Sequence, residues 1–557
     1  MPKLLDRTPP YSYSYHSLES ELAIEMDDQK SPSPPLALPV DSGSDQDVLG
    51  LAREDKAVMV QMGKRQQLVR RFNFFSIFGL SLTLLSSWEA IGGSMGVGMT
   101  AGGPVSLVYG LIFTFTGTLA CAASIAEMAS ICPISGAQYH WSYMFAPRKW
   151  RVFASFIQGW VTVFGWQATI SSLTLLLAGQ IQGVAILNNP TYVPERWHTT
   201  LLMWAVVLVS YVQNIWGVGL LPAFELFAGA MHVLLFIVLF IAMLVLGRNA
   251  SANFVFTGFV NQTGWENQGI VWFIGLLPCI WCIIGFDGAI HLSEETEKSA
   301  LVIPKVIVNT VLINGSMAWI FVLLCLFSIS DISAVLDTPT GYPLIQIIQQ
   351  ATSSRAGATA IYSFILAITF AAMFGTLASV SRLTWAFARD DGLPFSNYFK
   401  HVDSKHKVPS RAVGLVSVVI ILLSFINIGS SVALNAILSL STIALYTSYI
   451  IPITCLIFMR LRVKDKVYDS PVGYAEISED CLVFGPWNLG RWGMLLNIYG
   501  ACYATLLLPF MALPTSMPLT KETMNYAGPI FLFVLCFAIL DYLIRGRRIF
   551  TGPTRER

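Results

Sequence analysis

Two carboxylic acids stand inside long uncharged stretches, each among glycines. Glu89 lies in Ser86-Ser-Trp-Glu-Ala-Ile-Gly-Gly-Ser-Met-Gly-Val-Gly98, and Asp287 in Pro278-Cys-Ile-Trp-Cys-Ile-Ile-Gly-Phe-Asp-Gly288. An ionisable group at mid-bilayer costs about 2.5 kcal/mol or more, so a carboxylate there is read as functional by default. Gly92, Gly93, Gly96 and Gly98 in the first stretch, and Pro278, Gly285 and Gly288 in the second, weaken a helix. An unwound helix frees N–H groups on one half and C=O groups on the other, which can hold a carboxylate and an ammonium respectively. Trp88, Trp281 and Phe286 beside the breaks could box an ammonium, at about 0.5–2 kcal/mol per cation–π contact. The expected substrate site is therefore Trp88, Glu89, Gly92, Gly93, Ser94, Trp281, Gly285, Phe286 and Asp287. A cationic headgroup would sit by Glu89 or the carbonyls of Gly285 and Phe286, with Trp281 closing over it. The N–H groups around Gly93 and Ser94 would take a substrate carboxylate.

Such a site needs a membrane around it, and the composition supplies one. Of 557 residues, 54% are apolar and only 12% are charged, about half the charge of a soluble domain. No charge occurs between Glu89 and Glu127, between Arg151 and Glu195, or between Arg411 and Arg460. A spanning helix needs about 20 apolar residues. Twelve spans are expected, near 74–99, 104–130, 153–178, 200–217, 222–246, 269–292, 306–328, 357–387, 412–427, 432–458, 491–513 and 526–545. The runs lack the alternation of a barrel, which leaves helices, so the fold class is an all-α polytopic membrane protein. Glu89 and Asp287 are the only acids this reading places near mid-span. They fall in spans 1 and 6, five apart, so spans 1–5 and 6–10 would run in opposite senses, with two further helices. Paired interrupted helices in inverted halves point to the midplane site of a secondary transporter.

The domain reading is a disordered tail over 1–70, where Ser31–Pro35 reads SPSPP, then a ten-helix core over 71–460. A loop (461–490), helices 11 and 12 (491–545) and a short tail (546–557) follow. With the N-terminus inside, 29 Lys and Arg fall inside and 4 outside, which sets both termini cytoplasmic. The sequons at Asn249 and Asn261 then lie in the outer 5–6 loop and are glycosylation candidates. A net charge of +1 gives no basic excess for nucleic acid. The nine cysteines show no metal or disulfide spacing, and no cofactor is expected. An embedded enzyme would need a nucleophile with its base or a histidine cluster, and no such motif is found.

Three stretches resemble a known family. Gly285–Ile307 (GFDGAIHLSEETEKSALVIPKVI) is similar to the sixth-span signature of the amino acid–polyamine–organocation transporters. Ser379–Ser396 (SVSRLTWAFARDDGLPFS) and Ala126–Pro147 (AEMASICPISGAQYHWSYMFAP) resemble its fungal amino acid/choline permease branch. The resemblance covers about residues 70–545. It implies the five-plus-five inverted repeat with two extra helices, uptake of an amine-bearing solute, and a proton as coupling ion. It also implies residence in a fungal membrane, by this reading the plasma membrane. By the same resemblance Trp281 stands where related exchangers have an aromatic gate, and Gly285-Phe286-Asp287 where they have a Gly-hydrophobic-Glu break. Here Asp replaces Glu, one methylene shorter.

The remaining polar residues in spans have plainer readings. His232 is expected as a packed histidine with a backbone partner, and Trp160 and Trp166 as packing. Arg382 is expected to pair with an acid or reach the inner face, and Glu294, Glu295 and Lys305 to form an ion-pair cluster at the inner mouth. The reading is a permease for an amino acid, GABA-like or choline-like amine, with a non-transporting nutrient sensor as the alternative.

Overall fold

The computed structural model describes Asp55 and residues 58–60, 62–247, 250–429, 433–463, 467–469, 482–521 and 523–554. Twelve helices among them are long and apolar enough to cross a membrane. They are Phe74–Ser94, Gly103–Ile131, Arg151–Asn188, Arg196–Trp216, Leu221–Leu246, Gln268–Glu295, Ser299–Phe327, Arg355–Arg389, Ser410–Gly429, Leu434–Arg462, Gly490–Met511 and Ala527–Ile549, here spans 1 to 12. Span 3 continues ten residues beyond its expected end at 178. Gln180 and Gln182 end the apolar run there, but the helix continues to 38 residues, about 57 Å.

Span 2 packs on span 7, span 3 on span 8 and span 4 on span 9. These partners are five apart, which accords with an inverted five-plus-five repeat. Spans 1, 3, 6 and 8 are the most buried, while spans 5, 9, 11 and 12 present most of their residues outward. Charge is concentrated at one end of the bundle, here called the basic end. It carries a short helix, Gln138–Phe145, between spans 2 and 3. The 10–11 connection adds a parallel pair of three-residue strands, Val467–Asp469 and Leu482–Phe484.

Residues 1–54, most of the expected tail, and Asn249 lie outside the described residues. The stretch up to residue 70 corrects the expected tail boundary. Met62, Lys64, Leu68 and Arg70 are buried, because apolar and charged side chains there find partners at the basic end. Arg71 and Phe72 donate their N–H groups to the Glu295 carbonyl, and Glu297 returns one to Phe72.

Candidate functional site

Span 1 is broken at Ser86, six residues before Gly92. Ser86 takes left-handed dihedrals (φ 38°, ψ 48°) and divides Phe74–Leu85 from Ser87–Ser94. Asn314 of span 7 holds the joint from both sides. Its Oδ1 accepts the Ser87 N–H at 3.0 Å, and its Nδ2 donates to the Leu82 carbonyl at 3.4 Å. Of the glycines expected to unwind the span, Gly92 and Gly93 are inside the second half-helix and serve close packing instead, while Gly96 and Gly98 fall in the next short helix, Gly96–Thr100. A Cβ on Gly93 would lie 2.2 Å from Gln180 Nε2, and one on Gly92 2.6 Å from Leu344.

Span 6 breaks where expected. It is helical over Gln268–Ile274 and Leu277–Trp281, opens, and resumes as a 3-10 helix over Phe286–Glu295. Gly285 stands at the joint with φ +86°, a conformation strained for residues with a Cβ.

Between the breaks lies a cavity of about 30 Å³ bounded by Ser86, Ala90, Trp166, Trp281, Ile284 and Thr376, enough for a water molecule. Further from the basic end is an open vestibule of about 540 Å³ whose walls include Gly93, Ser94, Gln182, Thr340, Tyr342 and Asn435. That volume suits a small solute. No charged side chain lines either space.

The nine expected site residues separate into two groups. Gly93 and Ser94 line the vestibule, and Trp281 lines the inner cavity with its Nε1 donating to Ser172 Oγ at 3.1 Å. The other six face protein. Trp88 packs its ring against His232, Phe236 and Phe321. Gly92 meets Leu344, Gly285 lies against the Trp166 ring, and Phe286 packs on Tyr449. Asp287 accepts hydrogen bonds from Gln138 Nε2 (2.5 Å), Trp166 Nε1 (3.1 Å) and Tyr449 OH (2.5 Å), with His291 Nε2 at 3.5 Å. So Trp166, expected as plain packing, is a donor in this network. Glu89 places Oε1 2.7 Å from His232 Nδ1. This corrects the reading of His232: its partner is a carboxylate on span 1, not backbone.

Sequence reasoning missed Gln180 and Tyr362. Gln180 and the Tyr362 hydroxyl are buried beside one another, and Ser87 Oγ and Trp88 Nε1 are buried without a hydrogen-bond partner. Buried polar groups are normally satisfied, so the Gln180–Tyr362 pair beside Gly93 is a polar feature the apolar surroundings do not explain. The available signal was two glutamines interrupting the apolar run of span 3.

At the basic end, ion pairs link spans 6 and 8. Arg389 grips Glu294 with two hydrogen bonds (2.8 and 2.9 Å), and Arg382 Nε donates to Glu295 at 2.7 Å. The expected cluster is thus present, except that Lys305 makes no ion pair among the described residues. Asp390 pairs with Lys64 and accepts from Tyr139 OH at 2.8 Å and Thr554 Oγ1 at 2.6 Å. It therefore ties the N-terminal segment, the short helix and the C-terminal segment together. Despite its burial, Lys64 and neighbouring positive groups hold the Asp390 carboxyl well below the usual carboxylate range. Burial pushes the adjacent His140 down to about 3, which leaves it neutral near pH 7.

Among known proteins, a family model described as amino acid permease matches residues 72–536. The chain is 31% identical over 485 residues to the choline transporter of Saccharomyces cerevisiae, covering 87% of this chain and 83% of that one. It is 28% identical to amino-acid permease BAT1 of Arabidopsis thaliana (92% and 98% covered) and 28% to amino-acid permease 2 of Neurospora crassa (86% and 85%).

Proposed function

The chain belongs to the amino acid permease family, and from that premise we propose that it imports a small amine-bearing solute by proton symport and alternating access. The solute is an amino acid, a GABA-like amine or a choline-like cation. The carrying observation is that two broken spans meet at a buried cavity, with a vestibule on one side and an ion-paired plug on the other. Ion pairs suit a gate because the hydration they regain on opening offsets much of the attraction they lose. The plug end is the cytoplasmic one, following the lysine and arginine bias, and the membrane is the plasma membrane.

The recognition chemistry follows from the lining. With no carboxylate on either wall and Glu89 engaged by His232, an ammonium is held by the Trp281 ring and by carbonyl dipoles at the breaks. The Ser87–Ser94 helix keeps the N–H groups of Gly93 and Ser94 in intrahelical bonds, so a substrate carboxylate would turn to neutral donors near the vestibule such as the Gln182 amide, and a zwitterion and a pure cation would use different parts of one site. Uptake of labelled choline, GABA and amino acids by cells expressing the chain tests the reading. Accumulation of one of them, rising with external acidity and abolished by a protonophore, supports it. Binding without accumulation would identify a sensor, and sodium-dependent, pH-insensitive uptake would contradict proton coupling.

A further inference from the structure

Eight acids are buried among the described residues, and seven have an Arg, Lys or His nitrogen within 4 Å. The exception is Glu225, in the second turn of span 5 and fully buried. It lies where three spans touch. A Cβ on Gly79 of span 1 would be 2.7 Å from the Glu225 carbonyl oxygen, and one on Gly375 of span 8 would be 3.1 Å from Oε1. Oε2 is 2.6 Å from Thr83 Oγ1, while Oε1 stands against the Gly375 backbone of span 8.

The surroundings offer no counter-charge. The first half of span 1, Phe74–Leu85, has no titratable side chain, nor has the helix Pro343–Thr352 that also touches span 5. On span 8, Arg382 and Arg389 are committed to Glu295 and Glu294, and Tyr362 lies more than three turns from Gly375. On span 5 itself, His232 is two turns away and bonded to Glu89. Lys305 of span 7 makes no ion pair with Glu225.

Hydrogen-bond arithmetic then favours a proton on the carboxyl. Thr83 Oγ1 has one hydrogen, yet the carbonyls of Gly79 (3.2 Å) and Leu80 (3.0 Å) and Glu225 Oε2 all stand within reach. If Glu225 carries a proton it donates to Thr83, and Thr83 donates to a backbone carbonyl, so both contacts are made. A bare carboxylate leaves an uncompensated charge in a dry site. No cluster of His, Cys, Asp and Glu able to hold a metal ion occurs among the described residues, and one hydroxyl with one carboxyl is a poor cage for sodium.

We propose that Glu225 is the residue that carries the coupled proton, an inference that rests on the proton-symport reading above. It takes the proton from water reached through the vestibule side. It releases it to water at the basic end once the first half of span 1 moves away from spans 5 and 8. Coupling arises because the packed contact tolerates the neutral acid and opening hydrates the anion.

The test uses the full-length protein in proteoliposomes with labelled choline, GABA and an amino-acid mixture, under a one-unit pH gradient, acid outside. One proton per solute supports up to about tenfold accumulation per pH unit. Wild type should approach that ratio for one tracer. Glu225→Gln should bring it to one while measurable counterflow exchange persists, and Glu225→Asp should restore part of it. Gradient-driven accumulation by Glu225→Gln equal to wild type would overturn the proposal, as would a sodium requirement that vanishes in this variant. A second readout stands apart from transport. The infrared carbonyl band of a protonated carboxylic acid should be present in wild type at neutral pH, lost in Glu225→Gln and kept in Thr83→Val. If no tracer accumulates but that band behaves so, the symport reading fails and the proton site stands. If Glu225→Gln leaves the band intact, the proton site fails.

Discussion

Glu89 and His232 are 143 residues apart in sequence and 2.7 Å apart in the fold. Each was visible alone as a polar residue in an apolar run, but nothing in either run names the other, because which faces of spans 1 and 5 meet is decided by packing. Glu225 was hidden for another reason: it lies in the second turn of span 5, far from the mid-span depth at which a functional acid is expected. The Glu89–His232 pair should show in a double-mutant cycle of Glu89→Gln and His232→Gln, read by thermal unfolding in detergent. A coupling energy of about 1–3 kcal/mol is expected for buried hydrogen-bonded partners, and additive effects would mean the contact contributes nothing. For Trp281→Ala, the dissociation constant of the transported amine should rise about 2- to 30-fold, the span of one cation–π contact. Unchanged affinity would move the ammonium site elsewhere. His140 governs acid stability. An unfolded histidine takes up a proton near pH 6.5, but burial keeps the folded one neutral down to about 3, so stability falls as pH drops through that window. Asp390, depressed below the carboxylate range, keeps its stabilising contribution above its ordinary value near pH 3.9 and loses it only under stronger acid. His140→Gln should therefore flatten the fall in melting temperature between pH 7 and pH 4, and an unaltered acid limb would contradict the assignment.

Helices were the most legible elements, because hydropathy and the absence of charge over about 20 residues leave little else for a chain in lipid. The break of span 6 was legible from Pro278, Gly285 and Gly288. The break of span 1 was displaced from its glycines because no local signal marks Ser86. What fixes that joint is Asn314, more than 220 residues away, bonding across it. A helix joint held by a distant amide should depend on that amide. Asn314→Leu, close in volume, leaves the Ser87 N–H unpaired in a dry site, a penalty of about 1–3 kcal/mol. The result should be a lower melting temperature together with impaired transport. A variant with wild-type stability and rate would mean the joint is held by the fold at large. At the basic end, Arg389→Ala leaves Glu294 buried without its partner, at a cost of about 3–5 kcal/mol, and should weaken closure of that end.

Across the whole molecule, the architecture implies a division of labour. A vestibule faces the charge-poor end and ion pairs cluster at the charge-rich end; on the proposed function the solute would bind where two helices are interrupted between them. The proposed orientation rests on the 29-to-4 distribution of Lys and Arg. Asn261, exposed with its side chain hydrogen-bonded to Thr263 and Trp265, should carry glycan in a eukaryotic host if the 5–6 connection is outside. A glycosidase-sensitive mass shift that persists in Asn261→Gln and Asn249→Gln together would contradict that orientation. The central claim is alternating access about the paired breaks, and thiol labelling of the two sides reads it directly. In a background free of reactive cysteines, Ser94→Cys reports the vestibule and Ser379→Cys the face behind the plug, where the native hydroxyl donates to the Gly288 carbonyl. Without solute, Ser94→Cys should label quickly and Ser379→Cys slowly. Adding the transported amine under an inward proton gradient should slow the first and speed the second. Labelling at both positions that ignores solute and gradient would contradict the account.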